Sequence, residues 1–591
     1  MEPQYISSML GLLLAAFLTL SSATSPHDNF LRCLSLSSNH SSSIARVVFT
    51  PDNLSYSTIL KSRIRNHRFC TTDTPKPFVI VTPLLTSDIQ ATIHCSRNHG
   101  LQLRIRSGGH DYEGLSFVSH VRFVLVDLIN FRSVDVDVEN RVAWVESGAI
   151  LGELYYRIAE KNKTLAFPGG ICHTVGIGGY MSGGGYGLLF RKYGLAADNV
   201  IDAQLIDVYG RILDRQSMGE EVFWAIRGGG GGSFGIVLSW KLKLVSVPPT
   251  GTLFTVRRTL EQNAINLIHK WQYVAPKMPH GMYFDVALSR VKSTRDGKKT
   301  VTSSFIAFYL GGTNELVPLM HERFPELGIR KKDCIEMSWI ESIIYLGKIR
   351  NQPLEVLLDR DFQTPLTLPS YKSKSDYVKE PIPEIGLKGL WTRFSENEAE
   401  FGVIYFFSYG GIMDEIPESS TPFPHRAGNL YKIIYNVGWE EQDNINSDKY
   451  IDWIRRIYGY MGAYVSKSPR EAYVNYRDLD IGTNSEGNTT SYARASVWGR
   501  KYFKNNFDKL VHVKTMIDPE NFFRHEQSIP PLWKKQEAPE HEITKRDCIE
   551  MSWIESIIYR DQIRNQPLEV LLDRNFQSPP TLMSFKSNPT T

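Results

Sequence analysis

The sequence predicts an α+β fold built from two regions, and two patterns along the chain lead to that prediction. Between about residues 74 and 250, short apolar segments typical of strands alternate with segments typical of helices. Between about residues 251 and 465, the expected strands are rich in aromatic residues and alternate apolar with polar positions. The first pattern favours an α/β or α+β body, and the second favours an antiparallel sheet that turns one face to a ligand.

The first region opens with Phe78–Val81, an apolar run of strand length. Ser87–Gln90 predicts a helix that begins with a capping box, and Gly100 predicts its end. In Leu101–Arg106, apolar residues alternate with glutamine and arginine, which predicts a half-buried strand that ends at two glycines. Further strands are expected at Phe123–Leu128, Val142–Val145, Val200–Ile206 and Ile236–Val245.

The second region is expected to form its sheet from strands that include Met282–Val286, Ser304–Leu310 and Gly402–Tyr409. A final segment, about residues 466–530, is expected to be rich in loops and to return to the glycine-rich part of the fold.

The N-terminus predicts a secretory signal peptide over residues 1–24. Met9–Leu20 is an apolar run of about a dozen residues followed by small residues, although only Glu2 is charged in the preceding flank. The alternative is a membrane anchor, but a span needs about 20 apolar residues, and no later segment is apolar enough. Secretion would place the protein outside the cell, in the cell wall or in the vacuole. Four glycan acceptor sites support this prediction, at Asn39, Asn53, Asn162 and Asn488.

Composition and cysteine content exclude several classes of protein. The chain is 42% hydrophobic and 22% charged, as globular proteins usually are. Its net charge of +4 over 591 residues argues against a nucleic-acid-binding protein. Six cysteines are too few for a disulfide scaffold of this length. No HExxH motif, CxxC motif or His/Cys pair at metal-ligand spacing suggests a metal site.

A near-identical repeat changes the expected number of domains. Asp333–Arg360 and Asp547–Arg574 differ at three of 28 positions, and the similarity continues weakly to about Ser587. Two copies at such a distance do not form a solenoid. Residues 537–591 are therefore interpreted as a duplicated tail, or a mis-joined coding segment, that copies about 331–374. The alternative is a segment swapped into the partner's docking site in a dimer.

Three glycine-rich stretches occur in the sequence: Ser107–Gly109, Pro168–Gly187 and Gly228–Gly235. Glycines let backbone N–H groups approach a ligand closely, which suits a pyrophosphate. The alternative for any one stretch is a tight turn, but three stretches joined by strands favour a nucleotide-type ligand.

Two motif matches in the third stretch are misleading. Gly230–Gly235 fits G-x-G-x-x-G, but neither a preceding strand nor an acidic residue about 20 positions later is present. Gly231–Gly235 also fits G-x-S-x-G, which requires a strand before it and a helix after it. Here the strand Ile236–Val245 follows, so neither a Rossmann site nor a serine hydrolase is expected.

A histidine and a cysteine each lie in a glycine turn. His110 follows Ser107-Gly108-Gly109, and Cys172 follows Gly169-Gly170. Both are nucleophiles at positions where a cofactor would lie. From composition alone, an ordinary turn histidine and a buried thiol remain the simpler explanation.

Four segments together resemble the plant berberine bridge enzyme-like oxidases: RSGGHDYEG, PGGICHTVGIGGYMSGGGYG, FPHRAGNLYKIIYNVGW and YVNYRDLDIG. The resemblance covers nearly all of residues 30–531. It implies a vanillyl-alcohol oxidase/PCMH-type FAD-binding domain and FAD attached twice, through His110 to the 8α-methyl group and through Cys172 to C6. It also pairs Cys33 with Cys95 as a disulfide, which leaves Cys70 and Cys334 as expected buried thiols.

The resemblance also implies a division of the chain into domains. Residues 25–73 would be the N-terminal part of the FAD domain, 74–250 its PCMH-type body and 251–465 the substrate-binding domain. Residues 466–531 would be the berberine bridge-type segment that completes the FAD site.

The resemblance assigns further roles. Tyr476 would be the active-site base, Lys432 would stabilise its phenolate by a nearby positive charge, and Tyr112 and Tyr186 would orient the substrate. The alternative is that Tyr476 only packs on the flavin. The expected cofactor contacts are Arg106, Ser107, Gly108, Gly109, His110, Gly170, Cys172, Val175, Gly176, Gly179, Tyr180, Gly183 and Asn475.

At three positions where members of the family differ, the residue in this chain affects the expected chemistry. Ile434 stands where relatives often have Gln or, in the alkaloid-cyclising enzyme, a catalytic Glu, so ring closure of reticuline is not expected. Tyr180 replaces a histidine that lies near the flavin N1/C2 carbonyl region, which gives less stabilisation of negative charge there. Val175 is the small residue that gives O2 access, where other members have Leu.

The sequence therefore predicts a secreted, monomeric FAD-dependent oxidase that makes hydrogen peroxide. Its substrate would be the alcohol of a sugar, an oligosaccharide or a phenylpropanoid. Two alternatives remain: an oxidase of an alkaloid or a cannabinoid-like phenol, and a secreted flavoprotein without activity. No nucleic-acid partner and no membrane span are expected.

Overall fold

The computed structural model describes residues 25–37, 44, 46–292, 297, 299–349, 352–362, 368–484 and 490–532. The predicted signal peptide, the acceptor sites Asn39 and Asn488, and the repeated tail at 537–591 lie outside these residues. The helices are α1 Pro26–Ser37, α2 Tyr56–Lys61, α3 Thr86–Asn98, α4 Leu151–Lys161, α5 Ile177–Ser182, α6 Phe190–Tyr193, α7 Arg215–Ile226, α8 Ala264–Val274, α9 Thr313–Arg323, α10 Trp339–Leu346, α11 Glu384–Arg393, α12 Ser447–Met461, α13 Tyr492–Phe503 and α14 Asn506–Ile517.

The strands form four sheets in the described residues. They are β1 Val48–Phe49, β2 Val79–Val81, β3 Gln102–Arg106, β4 Phe123–Asp127, β5 Val134–Asp137, β6 Val142–Glu146, β7 Leu165–Ala166, β8 Val200–Ile206, β9 Ile212–Leu213, β10 Ile236–Lys243, β11 Val245–Ser246, β12 Gly251–Thr259, β13 Met282–Lys292, β14 Lys299–Tyr309, β15 Cys334–Met337, β16 Ser370–Val378, β17 Gly402–Ser408 and β18 Tyr431–Trp439. The predicted α+β class is confirmed.

The first sheet has the order β1-β2-β4-β3, and β2 and β3 both run parallel to β4. The prediction that β3 is half-buried is wrong, because Arg104 and Arg106 are 2% and 0% exposed. Parallel strands are covered on both faces, so these arginines need buried partners. Arg104 pairs with Glu526 at 3.0 Å, and Arg106 pairs with Asp127 at 2.7 Å.

Helix α3 begins one residue earlier than the predicted capping box. Ser87 is inside the helix, and the Asp88 carboxylate caps the end by accepting hydrogen bonds from the Leu84 and Leu85 N–H groups at 3.0 and 2.9 Å. An acidic residue in the first turn serves this purpose well. The C-terminal prediction is confirmed, since Gly100 follows the helix with φ +65°.

A second, antiparallel sheet of order β5-β6-β10-β8-β9 completes the first region. Helix α7 precedes Gly230–Gly235 and strand β10 follows it. This is the inverse of the strand–turn–helix order that a nucleophile elbow requires, so the exclusion of that site is confirmed.

The second region contains a seven-stranded antiparallel sheet of order β15-β12-β14-β13-β17-β18-β16. One face packs on α8, α9, α11 and α12 through a core that includes Trp271, Phe284, Phe406 and Trp453. Residues alternate across a strand, so the positions between these core residues lie on the opposite face, which is available to form a site.

The last segment is more helical than predicted. Helices α13 and α14 occupy much of residues 492–517, and Trp498, Phe507 and Val511 are buried in the same core as Tyr155 and Trp240 of the first region. A run that looked rich in loops is therefore tied to the glycine-rich region by tertiary packing.

Cys33 and Cys95 form a disulfide that links α1 to α3. Cys70 and Cys334, which were expected to be buried, are only half-buried. Within the described ranges, every helix is too short or too polar to cross a bilayer. In the same ranges, no group of three His, Cys, Asp or Glu side chains could hold a metal ion.

The first copy of the repeat is an integral part of the fold. Its strand β15 pairs with β12, and Trp339, Ile343 and Leu357 are buried in the core of the first region.

Candidate active site

The two glycine turns bring His110 and Cys172 to the same hydroxyl group. His110 Nε2 lies 3.1 Å from Thr174 Oγ1, and Cys172 Sγ lies 3.7 Å from the same oxygen. The sequence prediction named the histidine and the cysteine but missed Thr174. Its position two residues after the cysteine gave no separate signal.

Close backbone packing explains why the two turns need glycine. A Cβ atom on Gly108 would lie 2.3 Å from the Gly176 nitrogen, and one on Gly176 would lie 2.2 Å from the Gly108 nitrogen. Gly109 has φ +72°, and a Cβ there would meet the Arg63 carbonyl oxygen at 1.7 Å. Side chains at these positions would therefore force the turns apart.

Burial keeps both nucleophiles uncharged. It lowers the pKa of His110 to about 3, with a smaller contribution from the nearby positive charge of Arg65. Burial also raises the pKa of Cys172, although hydrogen bonds with Thr174 and the charge of Arg65 oppose that shift. A neutral imidazole is the form of histidine that can act as a nucleophile.

The Arg106 side chain is held in the core by protein groups. Its guanidinium group is fully buried, pairs with Asp127, and donates hydrogen bonds to the carbonyl oxygens of Leu60 and Ile59 at 2.7 and 2.8 Å. Its side chain therefore fixes the strand before the turn, which leaves the backbone of Arg106 for the predicted cofactor contact.

The remaining predicted cofactor contacts surround the turns. Gly179 is exposed with no atom within 4 Å of a Cβ, whereas Gly183 packs against Asn475 so closely that a Cβ would lie 1.9 Å from Oδ1. Asn475 Nδ2 donates to the Tyr180 carbonyl oxygen at 3.0 Å. The Tyr180 hydroxyl donates to the Tyr186 carbonyl oxygen at 2.7 Å, so its proton is engaged within the protein.

Three predicted tyrosines form one cluster. The hydroxyl groups of Tyr186 and Tyr476 are hydrogen-bonded to each other. The ring of Tyr112 stacks on Tyr476, with centroids 5.5 Å apart and planes 14° from parallel. Tyr371 and Tyr473, which the sequence analysis did not select, complete the cluster by edge contacts at 5.3 Å to Tyr112 and 5.0 Å to Tyr476.

Lys432 extends from β18 across the neighbouring strand toward this cluster. In the sheet register, Lys432 lies opposite Phe407 of β17, and Phe407 lies opposite Asp285 of β13. The three side chains therefore share one face of the sheet. The Lys432 ammonium nitrogen lies over four aromatic rings, at 3.2 Å from the centroid of Tyr186, 4.2 Å from Tyr473, 5.0 Å from Tyr476 and 5.6 Å from Phe407.

The charge states of this cluster differ from the sequence-based expectation. Burial lowers the pKa of Lys432 well below its usual value, although the nearby Asp285 carboxyl opposes the shift. Burial also raises the pKa of Tyr476 well above 10, and the hydrogen bond with Tyr186 only partly offsets this. Lys432 is therefore not a permanent cation, and it is the first member of the pair to lose a proton as the pH rises.

An apolar wall lies beside the cluster. Tyr405 and Phe407 on β17 stack with centroids 5.7 Å apart and planes 12° from parallel, and both rings are half-exposed. Ile434 is the register neighbour of Tyr405 on β18. The Tyr405 and Phe407 rings give this part of the sheet a flat aromatic surface.

Two observations indicate that the residues of this site suit FAD. His110 and Cys172 are two nucleophiles that contact one threonine hydroxyl, so both can reach one ring system. The exposed backbone at Gly179 adjoins space that a side chain would fill.

Two family models match the parts of the chain that form this site. The family model described as an FAD binding domain matches residues 77–215, which include His110 and Cys172. A second family model, described as berberine and berberine like, matches residues 472–530, which include Tyr476.

Similar proteins cover most of the chain. Tetrahydroberberine oxidase from Berberis wilsoniae is 51% identical over 516 residues, which is 87% of this chain and 96% of that protein. The structure of berberine bridge enzyme-like 28 from Arabidopsis thaliana is 48% identical with a TM-score of 0.80 and covers 85% of this chain and all of the relative. Phl p 4, a grass pollen allergen with glucose dehydrogenase activity, is 43% identical with a TM-score of 0.78, over 85% of this chain and all of that one.

Proposed function

Because the chain belongs to the berberine bridge enzyme-like family of FAD-dependent oxidoreductases, we propose that it oxidises the hydroxyl group of a small alcohol and passes the electrons to O2. The observation that carries the proposal is the hydrogen bond between Tyr476 and Tyr186. Lys432 lies over both rings, and Tyr112 stacks on Tyr476. This cluster is a proton acceptor in a water-poor site, and alcohol oxidation requires removal of the hydroxyl proton.

His110 and Cys172 would hold the cofactor covalently, with the glycine turns and Asn475 supporting it through backbone and amide contacts. FAD, when bound, supplies the group that accepts hydride from the substrate carbon. Two attachment points would fix the position of the cofactor relative to Tyr476, which is the contribution the protein makes to the reaction.

Tyr476 and Lys432 would work as one titrating unit. Tyr476 would accept the proton of the substrate hydroxyl at its phenol oxygen, while Tyr186 holds that oxygen by its hydrogen bond. Lys432 would store the proton displaced from Tyr476, because burial lowers the pKa of its amine well below the usual value. The fully protonated pair consists of the Lys432 ammonium group and the Tyr476 phenol. The reactive state of the pair carries one proton less than this.

The apolar wall favours the phenylpropanoid alcohol within the predicted substrate classes. Stacked Tyr405 and Phe407 offer a surface for a flat ring, and Ile434 supplies no hydrogen bond to a sugar hydroxyl. Among these three side chains, a sugar would find only the Tyr405 hydroxyl as a polar partner.

A second candidate is the oxidation of an alkaloid. The relative that is 51% identical is named tetrahydroberberine oxidase, and the apolar Ile434 suits a polycyclic substrate as well as it suits a phenylpropanoid.

The experiment that tests the function is anaerobic mixing of the purified protein with three donors: cinnamyl alcohol, glucose and tetrahydroberberine. We expect cinnamyl alcohol to bleach the flavin absorbance most rapidly, and air to restore it with release of hydrogen peroxide. Bleaching only by tetrahydroberberine supports the second candidate. Absence of bleaching by every donor contradicts the proposed function and favours an inactive flavoprotein.

Val175 is expected to control the reaction with O2. Its backbone is fixed by hydrogen bonds to Cys172 and Leu151 at 3.2 and 2.9 Å, so a substitution changes the space beside the turn and not the turn itself. Val175→Leu should slow reoxidation in air by about 10- to 200-fold, the range for one added methylene in a tight site, and leave anaerobic reduction unchanged. Stopped-flow absorbance measures both steps, and an unchanged reoxidation rate contradicts this role.

We also infer that the protein is secreted and glycosylated. Asn53 is exposed, and Asn162 lies at the end of α4, where its side-chain oxygen accepts hydrogen bonds from the Thr164 backbone and hydroxyl at 2.8 Å each. Asn53 is therefore accessible and Asn162 is half-exposed, and glycan transfer requires an accessible asparagine. A mass decrease on endoglycosidase treatment of the protein from a plant host tests this inference.

A further inference from the structure

We propose that Lys372 is a positioning residue that holds Tyr112 and Tyr476 face to face, by clamping together the two loops that carry them. The loops are residues 107–114, called the His110 loop, and residues 473–481, called the Tyr476 loop. This inference rests on the proposed function for its consequence in catalysis, but the clamp itself is a separate and measurable feature.

Lys372 lies on the edge strand β16 and bonds to both loops. Its ammonium group bonds to the Glu113 carboxylate in the His110 loop and to Asp478 Oδ1 in the Tyr476 loop, the latter at 2.8 Å. All three side chains are almost completely buried, at 3 to 5% exposure. A charge bridge at this depth is shielded from solvent and salt, so it fixes geometry more firmly than a surface pair does.

Each of the three clamped residues is close in sequence to one tyrosine of the cluster. Glu113 follows Tyr112, and Lys372 follows Tyr371. Asp478 lies two residues after Tyr476. The three charged side chains meet one another, and Tyr112 stacks on Tyr476 and meets the edge of Tyr371. A shift of either loop at the clamp therefore moves a ring in the site.

The neighbouring Lys374 does not perform the same task. It is as buried as Lys372, but its ammonium group bonds to Asp478 and Asp480, each at 2.7 Å, and both acceptors belong to the Tyr476 loop. Lys372 is thus the lysine of this strand that joins the two loops. The carboxylates of Glu113 and Asp478 outweigh the effect of burial and raise the pKa of Lys372, so it stays charged.

Two weaker contacts reinforce the same junction. The Leu479 N–H group donates to the Glu113 carboxylate at 3.4 Å, and Arg477 lies 3.4 Å from Asp111. Glu113 also accepts from Arg68 at 2.6 Å, so its carboxylate is held on both oxygens. Loss of the Lys372 ammonium group would leave Glu113 and Asp478 facing each other without the charge between them, and the loops would separate.

The test is Lys372→Met in the full-length holoprotein, with Lys372→Arg as the conservative variant. Hydrogen exchange should rise in both loops of Lys372→Met, and kcat for the alcohol should fall about 100-fold, the cost of a misplacement of about 1 Å. Substrate KM should change much less, because the apolar wall of Tyr405, Phe407 and Ile434 is not displaced. Lys372→Arg should recover most of kcat, since an arginine can bridge two carboxylates.

Lys514→Met is the matched control for stability. Lys514 is a fully buried lysine that bonds to Asp518 and to the carbonyl oxygens of Ser233 and Phe523, at 2.5, 2.7 and 2.7 Å, away from the tyrosine cluster. The Lys514→Met variant should lower the melting temperature as Lys372→Met does, but hydrogen exchange in the two loops should not increase. If Lys372→Met does not fold, Glu113→Gln breaks the clamp from its other side and should show the same paired increase.

Unchanged exchange in either loop overturns the proposal, as does an exchange increase of the same size in Lys514→Met. Because hydrogen exchange does not depend on turnover, it decides the matter even if the wild-type protein oxidises no alcohol. In that case the proposed function fails, and the exchange measurement alone decides whether Lys372 holds the two loops together.

Discussion

Replacement of Tyr476 with phenylalanine is expected to slow flavin reduction by the alcohol by about 10²- to 10⁴-fold, the usual contribution of a general base. The phenol oxygen is the atom that accepts the hydroxyl proton, and Phe retains the ring that stacks on Tyr112. The change therefore removes the chemistry and keeps the packing. Anaerobic stopped-flow absorbance with saturating substrate measures the rate directly.

Tyr431→Phe is the matched control for that variant. Tyr431 precedes Lys432 on β18, but its side chain lies on the opposite face of the sheet, where its hydroxyl donates to Gln272 at 2.6 Å. This variant loses a buried hydrogen bond of similar kind and should keep the reduction rate within about threefold, since it does not touch the reacting groups. A full reduction rate in Tyr476→Phe would mean that the tyrosine only packs in the site.

The second large effect is expected at Lys432. In the wild-type protein, kcat/KM should rise with pH and reach its plateau well below pH 10.5, because burial lowers the pKa of Lys432 and this group loses the first proton of the pair. In Lys432→Met, Tyr476 must lose its proton alone, and burial raises its pKa above 10. The rise should then move above pH 10, and the rate at pH 7 should fall by about 100-fold or more.

Lys432→Arg separates two roles for this side chain. Arginine keeps a positive charge near Tyr476 but does not release its proton at any usable pH. If the neutral amine is required, Lys432→Arg should be as slow as Lys432→Met at pH 7. If Lys432→Arg retains the wild-type rate, the side chain acts as a fixed cation that stabilises the phenolate, as the sequence alone suggested.

The sequence predicted those parts of the site that short motifs encode. His110 and Cys172 follow glycine pairs that are visible in the chain, and the motif around Tyr476 located the tyrosine that we propose as the base. The strand pattern also predicted the antiparallel sheet, since its alternation is a local property.

The errors and omissions concern contacts between residues that are distant in the chain. The sequence did not indicate that the Arg106 side chain points into the core, where its partner Asp127 on the next strand holds it. Asp285 and Lys432 are 147 positions apart (432 − 285), and only the sheet register brings them to one face. No motif in the sequence indicated a role for Lys372, because its role depends on two loops that meet only in the folded protein.

The most direct test of the account is whether FAD is bonded to both His110 and Cys172. The holoprotein and the variants His110→Ala, Cys172→Ala and the double variant are precipitated with acid, and the flavin absorbance of each pellet is measured. We expect the yellow colour to stay with the pellet in the wild type and in each single variant, and to leave it in the double variant. Colour in the supernatant of the wild type, or a colourless pellet in either single variant, would contradict two independent attachments.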